Sequence, residues 1–170
     1  QHGKGFRGKL SEFGSQLKSK QKVRNTYRML EKQFKNSVKE AMKSKQETGA
    51  AIVTTLETRL DNAVYRAGIA QSRDQARQIV SHGHITVSGK RVNIPSCEVF
   101  IGDVVGVREG SKKLPYFINL MPQWLKNHES PSWIEVDKSK ITSTVNGHPA
   151  LEDSGIRSED LLSLIEFYSR

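Results

Sequence analysis

Cysteine is almost absent from the 170-residue sequence, with Cys97 standing alone, so no intrachain disulfide can close and no paired thiolate site exists. The scaffold must hold by packing, and a reducing compartment is the natural reading. Long apolar runs are missing as well. The longest purely aliphatic stretch, Ala50 to Val53, falls far short of the roughly 20 residues of a membrane-spanning helix. The N-terminus shows no signal-peptide h-region, so the sequence reads as soluble, with no membrane partner. No internal repeat is visible. Residue one is Gln and not Met, and the natural product is expected to carry a further N-terminal stretch. Acidic residues are scarce: 18 Asp and Glu face 27 Lys and Arg, giving a formal net charge of +9 and a pI of about 9.7. A polyanionic partner is the first expectation.

What is present suffices for a folded chain. Apolar residues make up 35%, and with the 13 glycines about 43%, close to the usual globular range, which argues against disorder throughout. The length fits one large domain or two small ones and is too short for most catalytic folds fused to a separate nucleic-acid module. Charge is unevenly spread. Residues 1–48 hold 13 Lys or Arg against 4 Asp or Glu, residues 49–120 hold 9 against 6, and residues 121–170 hold 5 against 8. The ten lysines of the first segment neutralise phosphate without selecting geometry, whereas the six arginines of the middle segment favour fixed bidentate contacts. The first segment is expected to supply affinity, the middle one register.

Residues 1–9 carry three glycines, three cations and no aliphatic anchor, which predicts an extended arm that orders on a partner. Helix follows from Leu10. Val23, Tyr27, Leu30, Phe34, Val38 and Met42 recur at intervals of three and four, predicting one long amphipathic helix with a basic outer face, ended at Gly49. Thr54-Thr55-Leu56-Glu57 fits a capping box and predicts a new helix from there, with Gly68 as its left-handed stop. Arg59, Asn62 and Arg66 share one flank of it. Ser72-Arg73-Asp74-Gln75 is a second box opening a second helix, closed at Gly83, on which Arg73, Arg77 and Ser81 stack at four-residue spacing. Arg73 and Arg77 are both expected to be exposed.

The period then changes to two. Ile85 and Val87, the Ser88-Gly89 turn and Lys90-Arg91-Val92 form a hairpin with a cationic tip. Strands are expected over Val99–Ile101, Val104–Val107, Trp133–Val136 and Ile141–Val145, and a basic loop at Ser111-Lys112-Lys113. A short helix is expected over Asn119–Lys126, around Trp124. Residues 149–157 read as a polar linker. Ser158 is the expected cap of a final helix with Leu161, Leu162, Ile165 and Tyr168 on one face. Tyr27, Phe34, Trp124 and Trp133 occupy periodic apolar positions and read as core rather than stacking platforms.

The segments Arg59–Arg66, Ser72–Gln78, His82–Ile85 and Val87–Ser96 closely resemble the RNA-binding module named after bacterial small-subunit ribosomal protein four. The similarity runs further, through Gln1–Lys4, Lys20–Arg24, Tyr27, Glu31–Phe34, Trp133–Asp137 and Ile165–Arg170, so essentially the whole chain resembles that ribosomal protein family. The resemblance implies an α+β protein: an N-terminal helical domain completed by the C-terminal helix, with an inserted helix-helix-β-hairpin module and a small antiparallel sheet. The expected division is 1–53 with 152–170, and 54–151 containing the module at about 57–110. The implied function is structural: a primary binder of a multi-helix junction in the 5′ domain of small-subunit ribosomal RNA, nucleating assembly. The resemblance also implies neighbours in the third and fifth small-subunit proteins, a place beside the mRNA entry channel in a cytoplasmic or organellar ribosome, and an influence on decoding accuracy. No cofactor or metal is implied for these residues.

The candidate RNA contacts are Lys4, Arg7, Lys9, Lys18, Lys20, Lys22 and Arg24 in the arm and first helix. On the paired helices they are Arg59, Asn62, Arg66, Ser72, Arg73, Arg77 and Ser81, followed by His82, hairpin-tip Lys90 and Arg91, and loop residues Lys112 and Lys113. Rigid arginines on short helices suit the shape, phosphate and 2′-hydroxyl contacts by which helical RNA is read; readout of bases is not implied. The sequence departs from the family's habit at Leu151, where an arginine is usual, and at Arg28, where glycine is frequent. Other readings remain open at this point. Two helices joined by a short turn also fit a DNA-binding helix-turn-helix. His82, His84 and Cys97 could be read as metal ligands, though the usual pair spacings are lacking. Arg59-Leu60-Asp61 resembles the catalytic triplet of pseudouridine synthases, which leaves an RNA-modifying enzyme or a free-standing RNA-binding module as alternatives.

Overall fold

A computed structural model describes residues 8–170; the arm residues Lys4 and Arg7 lie outside them. Helix α1 (Glu12–Thr26) opens on Ser11, whose hydroxyl accepts from the Gly14 amide at 3.1 Å. The single long helix predicted from residue 23 to 42 is instead two. Arg28 takes φ +54°, breaking the backbone between α1 and α2 (Glu31–Met42). The periodic Leu30 therefore falls outside the core at 66% exposure, and Met29 is buried in its place. Arg24 Nη1 donates to the Met29 carbonyl at 3.1 Å, tying the reversal together.

Helix α3 (Thr48–Glu57) begins six residues before the predicted capping box. Glu47 caps it, its carboxylate accepting from the Gly49 and Ala50 amides at 2.9 and 2.6 Å. Gly49 thus starts a helix rather than ending one, and Thr54 is interior to it. The reason is burial: Ile52, Val53 and Leu56 have at most 1% exposure, and that gain outweighs a local capping signal. Glu57 becomes the last residue of α3 and α4 (Leu60–Arg66) follows after a two-residue break. The first amides of α4 are satisfied from a distance, Leu60 and Asp61 donating to the carbonyls of Cys97 and Pro95 at 2.7 and 3.0 Å.

Gly68 ends this segment at φ +81° and Gly83 ends α5 (Arg73–Ser81) at φ +77°, as expected of left-handed stops. Ser72 caps α5 by accepting from the Gln75 amide at 3.1 Å. The other half of that box is diverted, because Gln75 Oε1 accepts from Gln71 instead. Strands β1 (Ile85–Val87) and β2 (Lys90–Arg91) form the predicted hairpin. Ser88 and Gly89 both have positive φ, at 48° and 82°, the signature of a type I′ turn. With β3 (Val104–Val107), β4 (Ile134–Asp137) and β5 (Thr142–Val145) they make an antiparallel sheet of order β2-β1-β3-β5-β4. Val99–Ile101 is not a strand: Asp103 accepts from the Phe100 amide at 2.8 Å and curls the segment into a turn, with only a Glu98–Arg59 bridge alongside. A π-helical turn (Tyr116–Leu120) and α6 (Met121–Leu125) fill the predicted short helix.

The expected linker at 149–157 is ordered, with α7 (Leu151–Ser154) and buried Pro149, Ser154 and Ile156. Helix α8 (Ser158–Tyr168) starts after Arg157, and Ser158 gives no side-chain cap. Its inward residues are Leu161 and Leu164, with half-buried Ile165 and Tyr168 packed against the same core; Leu162 faces out at 61% exposure. It runs antiparallel to α1, with Asp160 held by Ser19 and Lys22 at 3.0 and 2.6 Å, and Glu166 by Gln16 at 3.0 Å. Two cores result. One joins Val23, Tyr27, Phe34, Ile52, Leu56 and Leu164; the other joins Leu60, Val64, Val80, Ile85, Val105 and Trp133. Tyr27, Phe34 and Trp133 are core, each side chain of this size contributing about 1.5–3 kcal/mol by burial. Trp124 is half-buried and donates its indole N–H to the Gly68 carbonyl at 2.9 Å.

Candidate nucleic-acid interface

Several of the cations chosen from sequence are held inside the protein. Glu57, with no exposed surface, accepts from Tyr27 Oη at 2.5 Å, Asn62 Nδ2 at 3.1 Å, and Arg66 Nε and Nη2 at 3.0 and 2.9 Å. Arg66 Nη2 also reaches the Ser154 carbonyl at 3.1 Å. The Arg73 guanidinium lies 4.7 Å from the Tyr27 ring centre and 4.6 Å from that of Tyr65, a cation–π arrangement, and donates to Asn62 Oδ1 at 3.0 Å. Burial, then the Glu57 charge, holds the Tyr27 hydroxyl pKa well above its ordinary value. Burial, then the charge of Arg66, lowers that of Arg73, which still stays cationic near neutrality.

The predicted free flank of Arg59, Asn62 and Arg66 is therefore a buried polar junction between the two cores. Arg59 itself makes a bidentate pair with Asp61 at 3.1 and 2.9 Å, with side chains 9% and 5% exposed. Arg73 and Arg77 are half-buried, not exposed. Arg77 approaches Asp61 at 3.6 Å and donates to the Arg28 carbonyl at 2.7 Å. Arg28 in turn holds Asp74 at 2.7 Å. Lys20 is 4% exposed and bonded to Glu31, with its ammonium over the Phe167 ring. Lys22 pairs with Asp160 yet stays exposed, while Arg24 is half-buried and held by Gln21 and Glu31. Apart from Asp61, two residues from Arg59, the acidic partners come from another turn or another element, and the sequence pattern does not report such pairings.

Other candidates face outward. Lys9, Lys18, His82, Lys90, Arg91 and Lys113 are exposed. Ser72 and Ser81 are exposed too, but their hydroxyls act locally, Ser81 donating to the Arg77 carbonyl at 2.7 Å. Lys112 is half-buried and pairs with Glu109 at 2.6 Å. Arg91 leans on Gly83 so closely that an added Cβ there would stand 2.1 Å from its Nη2, which brings the hairpin cation against the end of α5. Arg108, which no periodic pattern singled out, is exposed at the end of β3, its amide donating to the His84 carbonyl at 2.8 Å. Burial lowers the His84 pKa, and His82, Arg108 and Arg91 lower it further. That histidine thus registers a local positive potential.

Residues 1–57 match the family described as ribosomal protein S4/S9 N-terminal domain, and residues 58–105 match the S4 domain. Small ribosomal subunit protein uS4 of Limosilactobacillus reuteri is 46% identical over 170 residues, covering 99% of this chain and 83% of its own length. The chain belongs to the uS4 family. The uS4 proteins of Natranaerobius thermophilus and Herpetosiphon aurantiacus are each 45% identical, covering all of this chain and 80% and 81% of their own lengths. Membership of the uS4 family accords with the mixed fold and with a non-enzymatic role. In the synthase-like triplet the Asp61 carboxylate is buried and accepts from the Arg59 guanidinium and the Asn62 amide. Among the described residues no three His, Cys, Asp or Glu gather as for a metal ion, and no helix is long and apolar enough to cross a membrane.

Proposed function

We propose that the protein is a structural constituent of the small ribosomal subunit and binds its RNA through fixed cations. The observation that carries this is the pairing pattern: acidic side chains hold the cations at the junction, while Lys90, Arg91, Arg108 and Lys113 are exposed, with Arg91 and Arg108 near His84. The contact surface comprises these residues with Lys9, Lys18, His82 and Lys112, and the arm residues Lys4 and Arg7. Arg59, Asn62, Arg66, Arg73 and Arg77 act by setting the geometry of that surface. The separate cores support two units, proposed as 1–53 with 152–170, and 54–151 with its module at about 57–110, with Leu56 at the boundary belonging to the first core. As the resemblance implies, the bound RNA is a 5′-domain junction recognised early in assembly, near the third and fifth proteins and the mRNA entry side, in a cytoplasmic ribosome. The test is binding to a transcript of that junction over a salt series. About five to ten neutralised phosphates give a log-log slope of several units. A flat response, or no preference over heparin, would overturn the reading.

A further inference from the structure

A small recess opens between α5 and the π-helical turn, lined on one side by His84; Arg91 packs on the adjoining Gly83, and the Arg108 amide donates to the His84 carbonyl at 2.8 Å. The floor of the recess is apolar: Ile79 and Phe117 are 7% and 3% exposed, with Leu114 at the rim, 40% exposed. The volume is about 140 Å³, below the roughly 300 Å³ of sites that take drug-sized ligands. That is room for one flat ring system and not for a helix or strand. Around its edge stand the amides of Gln75 and Gln78 and the imidazoles of His82 and His84. His84 is fixed by Ser111, its Nδ1 lying 2.8 Å from the hydroxyl, and meets Phe117 edge to face at 6.0 Å between ring centres. Burial, then His82, Arg108 and Arg91, lower its pKa and favour the neutral ring, a flat hydrogen-bonding wall.

We propose that this recess receives one unpaired nucleobase of the bound RNA, ring against Ile79, Phe117 and Leu114, edge toward Gln75 and Gln78, with its phosphate drawn to Arg91 and Arg108, the cations near His84. Single-stranded bases are recognised in this manner, by stacking on flat side chains and hydrogen bonds to their edges. An apolar side chain from a neighbouring protein would fill the floor but leave the surrounding cations unanswered. The inference rests on the RNA-binding reading and adds a base contact to its phosphate contacts.

The experiment compares the intact chain with Leu114→Trp and Gln78→Ala, both at accessible positions that leave the fold alone. Each is bound to small-subunit ribosomal RNA and probed with base-directed and backbone-directed reagents. With the unaltered protein, one nucleotide that is unpaired in free RNA loses base reactivity. In the variants that nucleotide becomes reactive again, the backbone footprint stays in place, and affinity falls on the order of ten-fold, as for the loss of one stacked base. Base reactivities identical in all three complexes would overturn the pocket and leave the RNA-binding reading standing. Absence of any footprint with the unaltered protein would overturn both.

Discussion

Replacing Glu57 with glutamine keeps the side-chain shape and removes one charge from the junction. In the native protein that carboxylate accepts four hydrogen bonds, two of them from Arg66. The amide that replaces one oxygen is a donor, and whichever way it turns it faces an N–H or the Tyr27 hydroxyl. Removing one partner of a buried ion pair costs about 3–5 kcal/mol. The Arg66 side chain keeps 19% exposure and can recover some hydration, so the lower end, about 3 kcal/mol, is expected. For a chain of this size that lowers Tm by roughly 6–12 °C, at 2–4 °C per kcal/mol. Urea unfolding and thermal melting measure it directly. Tyr27→Phe removes one hydrogen bond to a charged group, about 1.5 kcal/mol, and the double variant should lose less than the sum because both changes act on one group. A loss below about 1 kcal/mol for Glu57→Gln would show that the junction does not hold the two cores together.

Three further outcomes are expected. Lys20→Met should change stability but leave the salt slope of RNA binding untouched, whereas Lys90→Ala with Arg91→Ala should lower that slope by about two units; the reverse pattern would undo the division between inner and outer cations. Arg28→Gly relieves a left-handed backbone at the loss of an exposed ion pair that is screened by solvent, so Tm should hold or rise by about 2–4 °C, and a clear fall would refute the strain. The Asp160 carboxyl is held below its usual pKa, first by its hydrogen bond from Lys22 and then by that from Ser19. Its stabilising effect is full above the ordinary Asp value of about 3.9 and fades as pH falls through the lower folded value. Asp160→Asn should therefore cost less than about 1 kcal/mol at pH 7 and nothing at the acid end of a pH series of melts.

The legible parts of the fold were those written by local chemistry. Ser72 as a cap, Gly68 and Gly83 as stops, and Ser88-Gly89 as a hairpin turn follow from what each residue permits in its own backbone. The illegible parts were set by partners far away in the chain. Glu57 sits in a plausible capping box, yet its place is decided by Tyr27 thirty residues earlier and Arg66 nine residues later. Met29 displaced Leu30 because a left-handed Arg28 shifted the helical phase, a step signalled only by the glycine frequent at that position in the family. The candidate contacts divided along the same line. Exposed Lys90, Arg91 and Lys113 followed from a turn and a loop, whereas the roles of Arg59, Arg66 and Arg73 needed the positions of their carboxylate and tyrosine partners.

The antiparallel pairing of α1 with α8 joins segments far apart in the chain, and this sets an order in which the two cores can be completed. The core around Leu60, Val80 and Trp133 draws on residues 60–145 alone and needs nothing made after them. Phe34 and Leu56 must wait for Leu161 and Leu164, which are made later than every residue of the other core. The central module can accordingly be complete before the lysine-rich helices gain their mate.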